Sequence, residues 1–232
     1  MSFNKFVLAA SLGLGLSISS FSTVAAVPAQ TAASQSAISP DQALQMLKDG
    51  NKRFVSGSML ERDLAKQVAA TGAGQYPYAT VIGCIDSRVP HELVFDAGIG
   101  DIFSARIAGN FVNTDILGSV EFATAVAGSK VVVVLGHTEC GAVKGACDNV
   151  ELGNLTHTLS NIAPAIYATT DIPGVRSSKN KAFVQAVADK NVELTVQNIL
   201  DRSPVIADLV KQGKVKVVGA MHNVATGEVT FN

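Results

Sequence analysis

Two short segments carry the side chains best suited to chemistry. Cys84-Ile85-Asp86-Ser87-Arg88 holds a thiol, a carboxylate and a guanidinium. His137-Thr138-Glu139-Cys140-Gly141 holds an imidazole and a second thiol. Two thiolates and one imidazole suit Zn2+, and three protein ligands leave a fourth position open, as in a catalytic rather than a structural site. A water in that position has its pKa lowered from ~15.7 toward ~7, which supplies hydroxide at neutral pH. A carboxylate beside a guanidinium stays ionised and is oriented by a bidentate pair. Asp86 next to Arg88 therefore suits two roles: accepting a hydrogen bond from the zinc hydroxide, or swinging in to occupy the fourth position. Each segment alone is a weak signal, because a buried Cys is most often a small hydrophobe and a motif needs its structural context. A Cys84–Cys140 disulfide competes in an oxidising compartment, but it leaves His137 and the Asp86–Arg88 pair without a role.

Both segments begin where an apolar strand stops. Tyr78–Cys84 (YATVIGC) and Lys130–Leu135 (KVVVVL) are short apolar runs, the pattern of buried parallel strands. In open parallel sheets, ligands sit beyond the carboxyl ends of the strands. If these two strands are neighbours, Cys84, His137 and Cys140 converge. Further strands are expected at Ile102–Ile107, Val215–Ala220 and after the Thr226-Gly227 turn. Helices are expected from Ser39-Pro40-Asp41, a cap followed by a first-turn proline, and over Ile116–Ala127, Ala142–Asp148 and Asn180–Leu200. One more starts at Ser203-Pro204 and stops at Gly213. Strands alternating with helices imply an α/β domain with a mainly parallel sheet flanked by helices.

The chain has 232 residues, 47% of them hydrophobic and 16% charged, with a net charge of −1. That composition excludes a disordered chain, and the charge balance gives no reason to expect nucleic acid or an anionic membrane as partner. Three cysteines exclude a disulfide scaffold. Residues 1–26 read as a secretory signal: Lys5, an apolar run Phe6–Ile18, then Val24-Ala25-Ala26 at a small-residue cleavage site. The run is too short and too rich in Ser and Gly for a comfortable membrane span, and no stable membrane insertion is expected after cleavage. Residues 27–39, rich in Ala, Ser and Gln, read as a flexible tether, leaving 40–232 as one domain. The expected location is a bacterial periplasm.

The pair CIDSR and HTECGA, with the flanking PHELVFDAGIGDIFSARIAGN and ILGSVEFA, closely resembles the β-class carbonic anhydrases over roughly residues 40–232. The resemblance implies the α/β fold of that class and a homodimer, or a dimer of dimers, with the active site at the subunit interface. It implies reversible hydration of CO2 to bicarbonate and a proton, with one zinc per chain on Cys84, His137 and Cys140. Asp86 and Arg88 would form the catalytic dyad. By spacing, Gln75 matches a residue that binds substrate from the neighbouring subunit, and Phe103 matches an aromatic lining the CO2 pocket. Phe122 stands where plant-type members carry a Tyr, and Gly141 offers a close backbone approach. The Trp of one branch's inhibitory bicarbonate site is replaced here by Val81, and the chain has no Trp, so no such site is expected.

Two other functions fit the same residues: hydrolysis of CS2 or COS on the same fold, and periplasmic zinc storage, for which an Asp86–Arg88 pair is not needed. Cys147 reads as core, and His91, His157 and His222 as surface or packing residues. His222 would be a proton shuttle only if it lined the cleft mouth. Glu139 is expected to point away from the site. Arg106 and Asn110 are candidates to buttress it.

Overall fold

The computed structural model describes residues 26–232. The expected export signal lies outside these residues except for Ala26. The described helices are α1 (Ala32–Ala37), α2 (Pro40–Ser56), α3 (Leu64–Thr71), α4 (His91–Val94), α5 (Thr114–Glu121), α6 (Gly141–Cys147), α7 (Gly153–Ser160), α8 (Ala163–Ala168), α9 (Lys181–Arg202) and α10 (Pro204–Lys211). The strands are β1 (Ala79–Gly83), β2 (Ile102–Arg106), β3 (Val131–His137), β4 (Lys216–His222) and β5 (Val229–Phe231).

The strands form one sheet in the order β2-β1-β3-β4-β5. The first four are parallel and β5 is antiparallel to β4. Alternation along β3 explains its run of valines. Val131, Val133 and Leu135 share a core with Ala43 and Leu47 of α2. Val132 and Val134 face Leu117, Val120, Val192, Ile199 and Ile206 on the other side. Helices cover both faces, so the central strands are apolar throughout. The chain leaves β1 for β2 on one side and passes to β3 on the other. The gap between the ends of β1 and β3 is therefore the topological switch point, where ligands bind in such sheets.

Local chemistry sets the element ends. Ser39 and Gln42 close a capping box at the start of α2, with Pro40 in the first turn, and Gly57 ends the helix at φ +68°. Asn51 of α2 donates to the carbonyls of Val94 (3.0 Å) and Gly227 (2.9 Å) and accepts from Val229 N (2.8 Å), tying the helix to α4 and β5. The helix expected over Ile116–Ala127 starts earlier, behind an Asn113 cap. Its last turn widens into a π-helix at Phe122–Val126.

Residues 27–39 are not a tether. Thr31 and Ser34 form a capping box for α1. Buried Gln35 donates to Pro77 O (2.7 Å) and Ala127 O (2.8 Å), and Val27 N donates to Glu61 O at 3.0 Å. Polar side chains and backbone make these contacts, and Ile38 adds a partly buried apolar one, so the segment shows little of the apolar pattern that would have announced it.

Candidate metal centre

Gly83 is in register with Leu135, so Cys84 and His137 leave the sheet side by side at the switch point. Cys140 follows one turn later, immediately before α6. The ligand atoms of Cys84, His137 and Cys140 all lie within 4.8 Å of one another, and all three residues are buried. The two sulfurs are 4.0 Å apart and unbonded. Two Zn–S bonds of ~2.3 Å at a tetrahedral angle place sulfurs ~3.8 Å apart. The spacing therefore fits a shared ion.

The imidazole fits it too. His137 Nδ1 lies 2.9 Å from Thr138 O, so this nitrogen donates to a carbonyl and the lone pair is left on Nε2. Nε2 is buried without a hydrogen-bond partner. A polar atom stranded in this way is costly unless something binds it. The Cys84 thiol is pushed down, chiefly by the hydrogen bond from Cys140 and, against the cost of burial, by Gly109 N–H. Cys140 keeps the shared proton and is raised. A divalent cation would displace that proton.

Asp86 and Arg88 make the expected bidentate pair. Arg88 Nε donates to Oδ1 (2.9 Å) and Nη2 to Oδ2 (2.7 Å), while Arg88 N also reaches Oδ1 at 3.0 Å. These bonds hold the carboxyl well below the usual carboxylate range, against its partial desolvation. Oδ2 lies 3.9 Å from His137 Nε2. Arg88 Nη2 also reaches Glu139 O at 3.4 Å, joining the two loops. The Glu139 side chain pairs with Lys144 and faces outward.

A cavity of about 250 Å3 opens beside Cys84 and Asp86, with Gly141 on its rim and Ala108, Ala142, Leu155 and Leu159 as an apolar wall. The other three pocket residues are not in it. Phe103 and Phe122 meet edge to face, ring centroids 6.2 Å apart, in a separate cavity, and Gln75 lies in the exposed loop after α3. Within one chain, Gly141 alone of the four expected substrate-binding residues joins the metal ligands.

Arg106, at the end of β2, donates to Cys84 O (2.9 Å) and Asp86 O (2.6 Å), which fixes the loop bearing both residues. Gly109 N–H points at Cys84 Sγ, 3.5 Å away. Gly109 lies within the ARIAGN stretch, but its role depends on β2 lying beside β1. His91 is packing: Nδ1 is 2.7 Å from Ser104 Oγ, and burial pushes its pKa down to about 3. His222 is buried, in register with His137, and burial pushes it down to about 4. It does not line the cleft mouth. Cys147 lies in the core between α6 and α9, and His157 is exposed on α7.

A family model described as carbonic anhydrase matches residues 79–229, which include both ligand segments. The protein called carbonic anhydrase 2 in Mycobacterium tuberculosis is 33% identical over 198 residues, covering 83% of this chain and 92% of its own. A carbonic anhydrase of Mycolicibacterium smegmatis is 36% identical over 197 residues, covering 82% and 92%. Among solved structures, a β-carbonic anhydrase of Sordaria macrospora superposes with a TM-score of 0.60 at 28% identity, covering 70% of this chain and 84% of that one. The Coccomyxa β-carbonic anhydrase gives 0.64 at 24% identity, covering 81% and 85%, a likeness of fold. With such matches over most of its length, the chain belongs to the β class of the carbonic anhydrase family, the enzymes of reversible CO2 hydration.

Proposed function

We propose that the chain interconverts CO2 and bicarbonate at one zinc ion held by Cys84 Sγ, His137 Nε2 and Cys140 Sγ. One observation carries the reading: a buried imidazole nitrogen without a partner faces two thiol sulfurs, next to a carboxylate fixed by Arg88. When bound, zinc supplies a Lewis acid that brings the pKa of water toward ~7. Asp86, ionised and therefore an acceptor only, takes a hydrogen bond from water at the cavity's inner end and orients it. Arg88 holds that carboxylate in place. Ala108, Ala142, Leu155 and Leu159 supply an apolar slot for CO2, which has no net dipole.

The functional unit is proposed to be a homodimer or a dimer of dimers. The cavity of about 740 Å3 around Phe103 and Phe122 is open, and Phe122 and Val126 expose large apolar surfaces beside it. A second copy seated there would receive Gln75, Phe103 and Phe122 beside its own metal. The Sordaria macrospora relative is one of two described as tetrameric. Residues 1–26 support export to a periplasm, and no described helix is long and apolar enough to cross a membrane.

Asp86→Asn tests the chemistry. The variant keeps the size and the backbone contacts but loses the charge. It is expected to retain about one zinc per chain and to lose at least ~100-fold in CO2 hydration, the scale of a positioned proton acceptor. Unchanged hydration would overturn the assigned role. A wild-type protein that turns over CS2 or COS and not CO2 would redirect the substrate.

A further inference from the structure

Asn191 is a polar residue where the pattern of α9 calls for an apolar one. The buried stripe of that helix runs through Phe183, Val184, Val187, Ala188, Val192 and Ile199, and Asn191 lies within it. Its Nδ2 donates to Gly109 O at 2.7 Å, in the interior. Gly109 is the third residue of a turn closed by Asn110 N–H on Ile107 O at 3.0 Å and attached to β1 by Ile107 N–H on Gly83 O at 2.9 Å. Its φ of +88° is that of the third position in a type II turn. Only glycine fits: a Cβ would lie 2.5 Å from Ile162 Cδ1. The turn is thus held between the Asn191 amide and the Ile162 side chain. From this position the Gly109 N–H reaches Cys84 Sγ at 3.5 Å.

We propose that Asn191 is a positioning residue for the metal-binding sulfur of Cys84, acting through the Ile107–Asn110 turn. It tethers the Gly109 carbonyl to α9 and so keeps the Gly109 N–H on the sulfur. That bond directs the thiolate toward the metal and disperses part of its charge, as outer partners of metal ligands do. Without the amide, the buried Gly109 carbonyl loses its donor and the turn is free to move off the sulfur. The proposal rests on the zinc reading given above.

The test compares Asn191→Ala and Asn191→Leu, the latter matching Asn in heavy-atom count and branching, with Ile199→Ala as a control for loss of core packing on the same helix. Two readouts do not require activity. One is zinc affinity by competition with a chelator. The other is the thiolate-to-cobalt charge-transfer absorption of the Co2+-loaded protein. Folded Asn191 variants are expected to bind zinc about 10- to 100-fold more weakly and to shift the absorption band. Ile199→Ala is expected to change thermal stability alone, and Asn191→Gln to recover part of the affinity. Wild-type affinity and an unshifted band in either folded Asn191 variant would overturn the proposal, as would the same losses in Ile199→Ala. If neither variant folds, the wild-type protein loaded with 113Cd decides: coupling between the metal and the Gly109 amide proton is expected, and its absence overturns the proposal. A wild-type protein with no thiolate-to-cobalt band would instead defeat the zinc reading itself.

Discussion

At His137 the carbonyl of Thr138 takes the Nδ1 hydrogen and thereby decides which nitrogen faces the two sulfurs. The same economy governs Asp86, where Arg88 binds both carboxylate oxygens and leaves it a fixed acceptor. His91 shows the opposite fate of an imidazole. It is fully buried, bound only at Nδ1, and neutral, its pKa pushed from 6.5 to about 3 mainly by desolvation. Below pH ~6.5 the unfolded chain protonates this residue and the folded chain does not. Its contribution to stability is therefore complete above that pH and is lost as pH falls toward about 3, with a slope of up to ~1.4 kcal/mol per pH unit. Urea unfolding of the wild type and His91→Gln at pH 7.5 and 5 should show a smaller acid loss in the variant. Parallel losses would remove His91 from the account. The ligands were legible in the sequence because two Cys and a His at strand ends are scarce and chemically specific. Arg106 was legible as a candidate buttress but its partners were not, and Asn191 was not legible at all, because each acts on backbone carbonyls brought near by the fold.

At the scale of elements, β1 and β3 were legible because each has helices on both sides and so reads as an unbroken apolar run. The short helices α3, α4, α7 and α8 left little periodicity to find. The segment 27–39 misled for another reason: Gln35 docks it through two amide hydrogen bonds, and amides leave no hydropathy signal. Gln35→Ala strips the donor from the Pro77 and Ala127 carbonyls. It should destabilise the protein by about 1–3 kcal/mol, lowering the urea midpoint without changing the slope. An unchanged midpoint would return the segment to the status of a tether.

The whole molecule divides its expected substrate residues among three places, with Gln75 in the exposed loop after α3. Gly141 sits at the metal cavity, while Phe103 and Phe122 line an open apolar cavity elsewhere on the same chain. A sequence gives spacing along one chain and cannot say which copy completes a site; the family resemblance placed only Gln75 on a neighbouring subunit, and the separation of Phe103 and Phe122 from the metal cavity was not legible. Phe122→Glu places a charge in that apolar cavity, and a protein of residues 27–232 should then sediment as a monomer with weakened activity and zinc retained. An unaltered dimer would exclude this surface from the interface. Catalysis is expected to depend on the ion held by Cys84, His137 and Cys140. The most direct test of that dependence is a titration of metal-free residues 27–232 with zinc, read by stopped-flow CO2 hydration on the same sample. The rate should rise from background and break at one zinc per chain. Full zinc occupancy without CO2 turnover at neutral and alkaline pH, or turnover indifferent to zinc, would contradict the account.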